Sequence, residues 1–260
     1  MTSKYGPKKS LGQHWLQDEA SLQAMCDAAE VQGGDVVLEI GPGQGTLTEV
    51  LLERGAKVVA VEFDDELIEP LKARFSGPNF VLHHEDVLRF DFGQLPKNYK
   101  VVANIPYYLT SHLLRLLCET QNHFGLAALL VQKEVAERVA AAPGKMSTLS
   151  LSVQFYCAIG LGPVIGAKLF SPPPKVDSQI LLLDYTGPAY DDLDPAAFFR
   201  LTKAGFSERR KKLRSSLSGG LHLPKPAVEE MLQRAQINPD ARAQELSLAD
   251  WHKLYSALNA

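Results

Sequence analysis

Apolar positions in the first two thirds of the chain gather into short, nearly continuous runs rather than alternating with polar ones. The runs stand at 36–40, 58–61, 80–82, 101–103 and 126–131. A strand buried on both faces of a parallel sheet has this character. Between the runs, the stretches 47–54, 66–75, 111–120 and 133–141 carry helical periodicity, and 21–29 reads as a short helix before the first strand. Strands alternating with helices at this spacing predict right-handed βαβ units in an α/β, doubly wound, Rossmann-like sheet.

Two more strands are expected at 156–165 and 179–183, separated by Ser171-Pro172-Pro173-Pro174. Three successive prolines continue neither a helix nor a central strand, so this stretch is an extended loop or rim. After Thr186-Gly187-Pro188 the pattern turns helical. Asp194-Pro195 offers an acidic N-cap with proline at the first helical position, and 226–235 is amphipathic. Ser247 with Asp250 resembles a capping box, followed by Leu248, Trp251, Tyr255 and Leu258 at helical spacing. The expected division is a catalytic α/β domain over 1–187 and a small all-helical domain over 188–260.

Composition narrows the class. A chain of 260 residues with 45% hydrophobic and 22% charged residues is ordinary for a globular protein. No apolar run approaches the roughly 20 residues that cross a bilayer. The N-terminal stretch carries Lys4, Lys8 and Lys9 without the apolar segment of a secretion signal, so a cytoplasmic protein is expected. Cys26, Cys118 and Cys157 are widely spaced and form no C-x-x-C pair, which suits reduced, buried thiols. The seven histidines show no ligand spacing either, and no metal is expected. Net charge is −3, so a nucleic-acid partner would have to be held by a local patch. One candidate is Lys4 to Lys9. The other is Arg209, Arg210, Lys211, Lys212 and Arg214, with Lys203 shortly before. A solvated helix face is the competing reading of either run.

Candidate chemistry begins at the end of the first sheet strand, in Glu39-Ile40-Gly41-Pro42-Gly43-Gln44-Gly45. Glycines there let the backbone turn sharply and approach a bound nucleoside. The spacing is G-x-G-x-G rather than the G-x-G-x-x-G of a pyrophosphate site. Glu39 would repel a phosphate at this turn but attract the cationic amino group of a methionine moiety. Glu62 ends the next strand, about 20 residues on, where a carboxylate can accept both ribose hydroxyls. Asp86 follows the third strand and can take an adenine amino group, or else cap a turn. Strand-end acids on three consecutive strands share the carboxyl edge of the sheet, where ligands bind in such folds.

After the fourth strand stands Asn104-Ile105-Pro106-Tyr107. An exocyclic adenine amine is a poor nucleophile because its lone pair is delocalised into the ring. Positive charge develops on N6 as a methyl group arrives, and preoriented oxygens stabilise it. The Asn104 side-chain oxygen and the Ile105 carbonyl suit the two N6 hydrogens. Pro106 stiffens the turn, and Tyr107 offers a ring on which a flipped base can stack.

Five stretches together carry a resemblance: Lys9-Ser10-Leu11-Gly12-Gln13; Glu39-Ile40-Gly41-Pro42-Gly43 with Gly45; Asn104-Ile105-Pro106-Tyr107; Phe170-Ser171-Pro172-Pro173-Pro174-Lys175-Val176-Asp177-Ser178; and Arg209-Arg210-Lys211 with Leu213-Arg214. Over nearly its full length the chain resembles the small-subunit ribosomal RNA adenine dimethyltransferase family (the KsgA type). The resemblance implies a Rossmann-like domain that binds S-adenosyl-L-methionine and dimethylates two adjacent adenines near the 3′ end of small-subunit ribosomal RNA, in an assembling ribosomal particle. It implies cofactor positions at His14, Leu16, Gly41, Glu62, Asp86 and Asn104, with Asn104 and Tyr107 serving the target adenine. Glu39, Gly43 and Gly45 join that set from the loop itself, and a monomer is expected. The chain departs from the family at Gly12-Gln13-His14-Trp15-Leu16, where the pattern is Gly-Gln-Asn-Phe-Leu. Histidine donates a hydrogen bond as asparagine does, but it is bulkier and titrates near neutrality. Two rivals are an Erm-type large-subunit methyltransferase and a non-catalytic nucleic-acid-binding factor on the same fold. The proline stretch and the helical C-terminal part favour the small-subunit enzyme over the first. The glycine loop with its Asn-to-Tyr set argues against the second.

Overall fold

The computed structural model describes residues 6–8 and 11–259, which divide into two compact units. The first comprises residues up to Ala136 together with Ala158–Tyr185; the second comprises Glu137–Cys157 and Thr186 onward. Its last boundary falls two residues from the expected break after 187. The second unit also takes in a segment that a linear division does not separate.

The first unit opens with β1 (Trp15–Leu16) and α1 (Glu19–Ala28). Then come β2 (Val36–Ile40), α2 (Thr46–Glu53), β3 (Lys57–Glu62), α3 (Asp65–Arg74), β4 (Phe80–His84), β5 (Lys100–Asn104), α4 (Thr110–Glu119) and β6 (Leu126–Gln132). Next, α5 (Lys133–Val139) and α6 (Thr148–Gln154) lead to β7 (Cys157–Ile165), β8 (Phe170–Ser171) and β9 (Ser178–Tyr185). The main sheet has the order β4-β3-β2-β5-β6-β9-β7, and β2 to β6 run parallel. β9 returns antiparallel beside β6. The strand order reverses between β2 and β5, the switch point where open α/β sheets bind ligands beyond their carboxyl ends. Four of the apolar runs are buried as the pattern expects, with Val37, Leu38, Val101, Val102 and Leu129 showing no exposed surface. The run at 80–82 instead forms the edge strand β4, where no strand covers the far side and Val81 is 48% exposed. β1 forms a separate two-stranded antiparallel ladder with β8, pairing Trp15 with Ser171 and Leu16 with Phe170. The N-terminal segment is thereby anchored to the rim of the proline stretch.

The second unit contains α6, α7 (Pro195–Gly205), α8 (Leu213–Leu221), α9 (Lys225–Arg234) and α10 (Leu248–Asn259). Asp194 caps α7 by accepting from the Ala196 and Ala197 N–H groups, and the Ser247–Asp250 box opens α10. Trp251, Phe155, Phe198 and Leu254 are fully buried. The Phe155 ring stacks on Phe198, and the carbonyl of Gln244 accepts from the Gly144 and Met146 N–H groups. These ties carry residues 137–157 into the helical unit. The three cysteines are buried, and burial pushes the Cys26 thiol up to about 12. Among the described residues, no helix is long and apolar enough to cross a membrane.

Candidate active site

The turn from β2 into α2 is built on left-handed backbone: φ is +67° at Gly41, +59° at Gly43 and +80° at Gly45. These values exclude most side chains on steric grounds. Two of the glycines are also needed for space. A Cβ on Gly43 would stand 3.2 Å from the Trp15 indole nitrogen, and one on Gly45 would collide with the Phe75 ring.

Glu62, at the end of β3, fixes this loop from the side. One carboxylate oxygen accepts the Gly43 N–H at 3.1 Å; the other accepts the N–H groups of Phe63 at 2.9 Å and Asp64 at 2.8 Å. Burial raises its pKa above the ordinary value although these three donors pull the other way. Glu39 lies deeper. It is 1% exposed and accepts the Thr48 hydroxyl at 2.6 Å. Burial first, and the neighbouring Glu62 charge further down, push it up to about 8.

A cleft of about 240 Å³ opens at the carboxyl edge of the sheet. Residues 11–15 form one wall and 104–109 another, with Glu62, Phe63 and 85–88 completing the rim. Of the expected residues, the cleft brings together His14, Gly41, Gly43, Glu62, Asp86, Asn104, Ile105, Pro106 and Tyr107. Three others do not line it. Leu16 is buried in the core, with its carbonyl accepting the Thr46 hydroxyl. Gly45 packs against α3, and Glu39 sits beneath the loop bonded to Thr48. Asp86 lines the cleft and also caps the turn after β4, accepting the Leu88 N–H at 3.0 Å.

Asn104 ends β5 and donates its amide Nδ2–H to the His14 carbonyl at 2.9 Å. A carbonyl only accepts, so this bond fixes which way the amide faces and leaves Oδ1 as its remaining acceptor. The Ile105 N–H is anchored on the Leu130 carbonyl at 3.2 Å, and the Pro106 carbonyl accepts the Leu109 N–H at 2.9 Å. The Tyr107 hydroxyl meets Ser178 Oγ at 2.9 Å. Its ring stacks loosely on His14, with centroids 5.6 Å apart and 25° between planes. His14 Nδ1 lies 2.7 Å from the Pro172 carbonyl, and the same acceptor argument places a proton on that nitrogen. The triple-proline rim therefore orients the ring that backs Tyr107.

Sequence reasoning missed the apolar rim. Phe63 is 59% exposed, Tyr108 62% and Leu88 41%, and all three line the cleft. The available signal was an aromatic residue directly after the Glu62 strand end and a second tyrosine after Tyr107.

A family model described as ribosomal RNA adenine dimethylase matches residues 6–260. The chain belongs to the ribosomal RNA adenine dimethylase family. The dimethylase is 42% identical over 254 residues to the ribosomal RNA small subunit methyltransferase A of Dehalococcoides mccartyi (strain CBDB1), covering 95% of this chain and 87% of the relative. To the protein of the same name from Clostridium botulinum (strain ATCC 19397 / Type A) it is 38% identical over 253 residues, covering 95% and 92%. Among solved structures, a dimethyladenosine transferase from Plasmodium falciparum superposes with a TM-score of 0.80 at 27% identity, over 95% of this chain and 98% of that one. The 23S rRNA methyltransferase ErmE superposes with a TM-score of 0.74 at 27% identity, over 95% and 100%. S-adenosylmethionine is the methyl donor of the dimethylase.

The cleft fits that donor chemically. Gly41 and Gly43 keep the loop side free of side chains, Glu62 and Asp86 offer acceptors to hydroxyl and amino groups, and Phe63, Val61, Val87 and Leu88 offer an apolar slot for a purine ring. The Trp15 indole N–H is buried without a partner among the described residues, at the edge of the same loop.

The candidate basic patch at 209–214 lies mostly on the turn between α7 and α8 rather than on a helix face. Arg209, Arg210 and Lys211 are exposed there. Lys212 precedes α8 and pairs with Asp240 at 2.9 Å; Arg214 pairs with Glu229 at 2.9 Å and with Asp240 at 3.5 Å. In the N-terminal run, Lys8 pairs with Asp64 at 2.7 Å, while Lys4, Lys9 and Ser10 lie outside the described residues.

Proposed function

We propose that this dimethylase modifies N6 of two adjacent adenines near the 3′ end of small-subunit ribosomal RNA, acting as a cytoplasmic monomer on an assembling particle. The names and 38–42% identities of the curated relatives support the small-subunit substrate. The orientation of the Asn104 amide carries the mechanism. With Nδ2 held by the His14 carbonyl, Oδ1 accepts one N6 hydrogen and the Ile105 carbonyl the other. These acceptors stabilise the charge that grows on N6. The bound cofactor supplies an electrophilic methyl group on a sulfonium. Glu62, Asp86 and the Gly41–Gly43 backbone hold the donor, and Tyr107, backed by His14, stacks the extruded base on its remaining face. Arg209, Arg210 and Lys211 supply phosphate contacts that position RNA without reading its sequence.

Replacing Asn104 with alanine tests this reading. Single-turnover methylation of an unmodified small subunit should fall by roughly 100–1,000-fold, the loss typical of one preorganised group at a charged transition state. RNA binding, measured in parallel, should be largely kept. An alanine variant with wild-type turnover would remove Asn104 from the mechanism.

A further inference from the structure

Asp64 has no part in the assignment above, yet it is 3% exposed and collects bonds from three directions. Its Oδ1 accepts the Lys8 ammonium at 2.7 Å and the Glu66 N–H at 3.2 Å, and its Oδ2 accepts the Gln13 amide Nε2–H at 2.9 Å. Its own N–H donates to Glu62 Oε1 at 2.8 Å. Gln13 closes the circuit, because its Oε1 accepts the Lys8 backbone N–H at 2.7 Å. The Lys8 carbonyl in turn accepts the Leu11 N–H at 3.1 Å. The segment that supplies the wall at 11–15 is therefore fastened to the same short stretch, 62–64, that carries the strand-end acid. On its other side Gly12 abuts Tyr108: a Cβ there would stand 3.4 Å from that ring.

We infer that Asp64 is a positioning residue, which with Lys8 and Gln13 latches the N-terminal wall over the bound cofactor and slows its release. The inference rests on the reading of the cleft as the cofactor site. Asp64 touches neither cofactor nor base; it acts through Lys8, Gln13 and Glu62. A carboxylate buried against an ammonium and a side-chain amide gives a charge-assisted connection stronger than a neutral hydrogen bond. Loss of a desolvated, hydrogen-bonded charge partner shows chiefly in the dissociation rate. Residues 11–15 form one side of the cleft, so loosening them opens that side to exchange. Release and KM for the cofactor are then the quantities this network controls.

The test is displacement of S-adenosylhomocysteine from the full-length protein by stopped flow, together with steady-state methylation. Asp64→Asn retains a side chain able to cap α3 at Glu66 but loses the charge. Lys8→Met changes a partly exposed residue and so keeps the fold. Each should speed release about tenfold, the equivalent of one charge-assisted contact. The double variant should be little faster than either alone, as for residues acting in one network. Lys8→Arg should restore slow release, and KM for the methyl donor should rise more than kcat falls. Unchanged release in Lys8→Met, or effects that simply multiply in the double variant, would overturn the latch. A wild-type protein that fails to bind S-adenosylhomocysteine would instead overturn the reading of the cleft, and the latch with it.

Discussion

At Tyr107 one aromatic side chain is asked to do two things, and the surrounding contacts separate them. In the proposed mechanism its ring offers a face to a base, while its hydroxyl, bonded to Ser178, sets where that face points. Tyr107→Ala removes a stacking contact worth about 1–3 kcal/mol per base. It also loosens the aim of N6, where a misplacement near 1 Å can cost roughly 100-fold. Tyr107→Phe keeps the face and loses one hydrogen bond, worth about 0.5–1.5 kcal/mol net, so its single-turnover rate should fall only by about 2–10-fold. A phenylalanine variant as slow as the alanine one would show that the hydroxyl takes part in more than aiming. Glu39 gives a second prediction, in pH. Its folded-state pKa, about 8, lies above the ordinary carboxylate value, so between about 4.3 and 8 the folded chain holds a proton that the unfolded chain has released. Its contribution to stability is full below that window and is lost as pH rises through it. Glu39→Gln can still accept the Thr48 hydroxyl but has no proton to lose. Denaturation midpoints of the variant should gain on the wild type from pH 5 to about pH 8 and level off above it, and parallel profiles would show that Glu39 stays ionised.

Elements differed in how plainly the sequence declared them. Four of the five parallel strands, β2, β3, β5 and β6, were legible because burial on both faces leaves an apolar run with little ambiguity, while β4 stands at the sheet edge with Val81 exposed. α6 was not legible: Leu149, Leu151 and Val153 alternate as a strand would, and the reciprocal Ser147–Ser150 cap that opens the helix uses two serines where Glu or Gln is the usual partner. The β1–β8 ladder is two residues long on each side, and its pairing joins segments about 150 residues apart, which no local pattern encodes. The turn after α7 shows the opposite case. Its charges were plain in the sequence, but which of them are neutralised was not, because Asp240 and Glu229 come from a later helix and the loop beyond it. Arg209 and Arg210 are therefore better probes than Lys212 or Arg214, whose loss would also break ion pairs. Replacing both with alanine should weaken RNA binding and flatten its log–log salt dependence by roughly one unit per lost phosphate contact. An unaltered slope would return the run to the role of a solvated surface, and cofactor affinity serves as the internal control.

At the scale of the molecule, motif order along the chain anticipated the family and the sheet, and most of the expected cofactor and base residues converge on one cleft. What stayed hidden was second-order support: the Asn104 amide held by a backbone carbonyl, His14 held by Pro172, and the Asp64 network. Such contacts join residues tens of positions apart through side chains of unremarkable type, so nothing in the spacing marks them. The residues 137–157 were hidden for the same reason, since their place in the helical unit rests on Phe155, Phe198 and Gln244. Everything at this site converges on placing methyl groups on adenine N6 of small-subunit RNA. The decisive measurement supplies S-adenosylmethionine labelled in the methyl group to unmodified small and large ribosomal subunits and maps the label. The label should appear as N6,N6-dimethyladenosine at two adjacent positions near the 3′ end of the small-subunit RNA and not on the large subunit. Label on a large-subunit adenine, or on any atom other than N6, would overturn the proposed function.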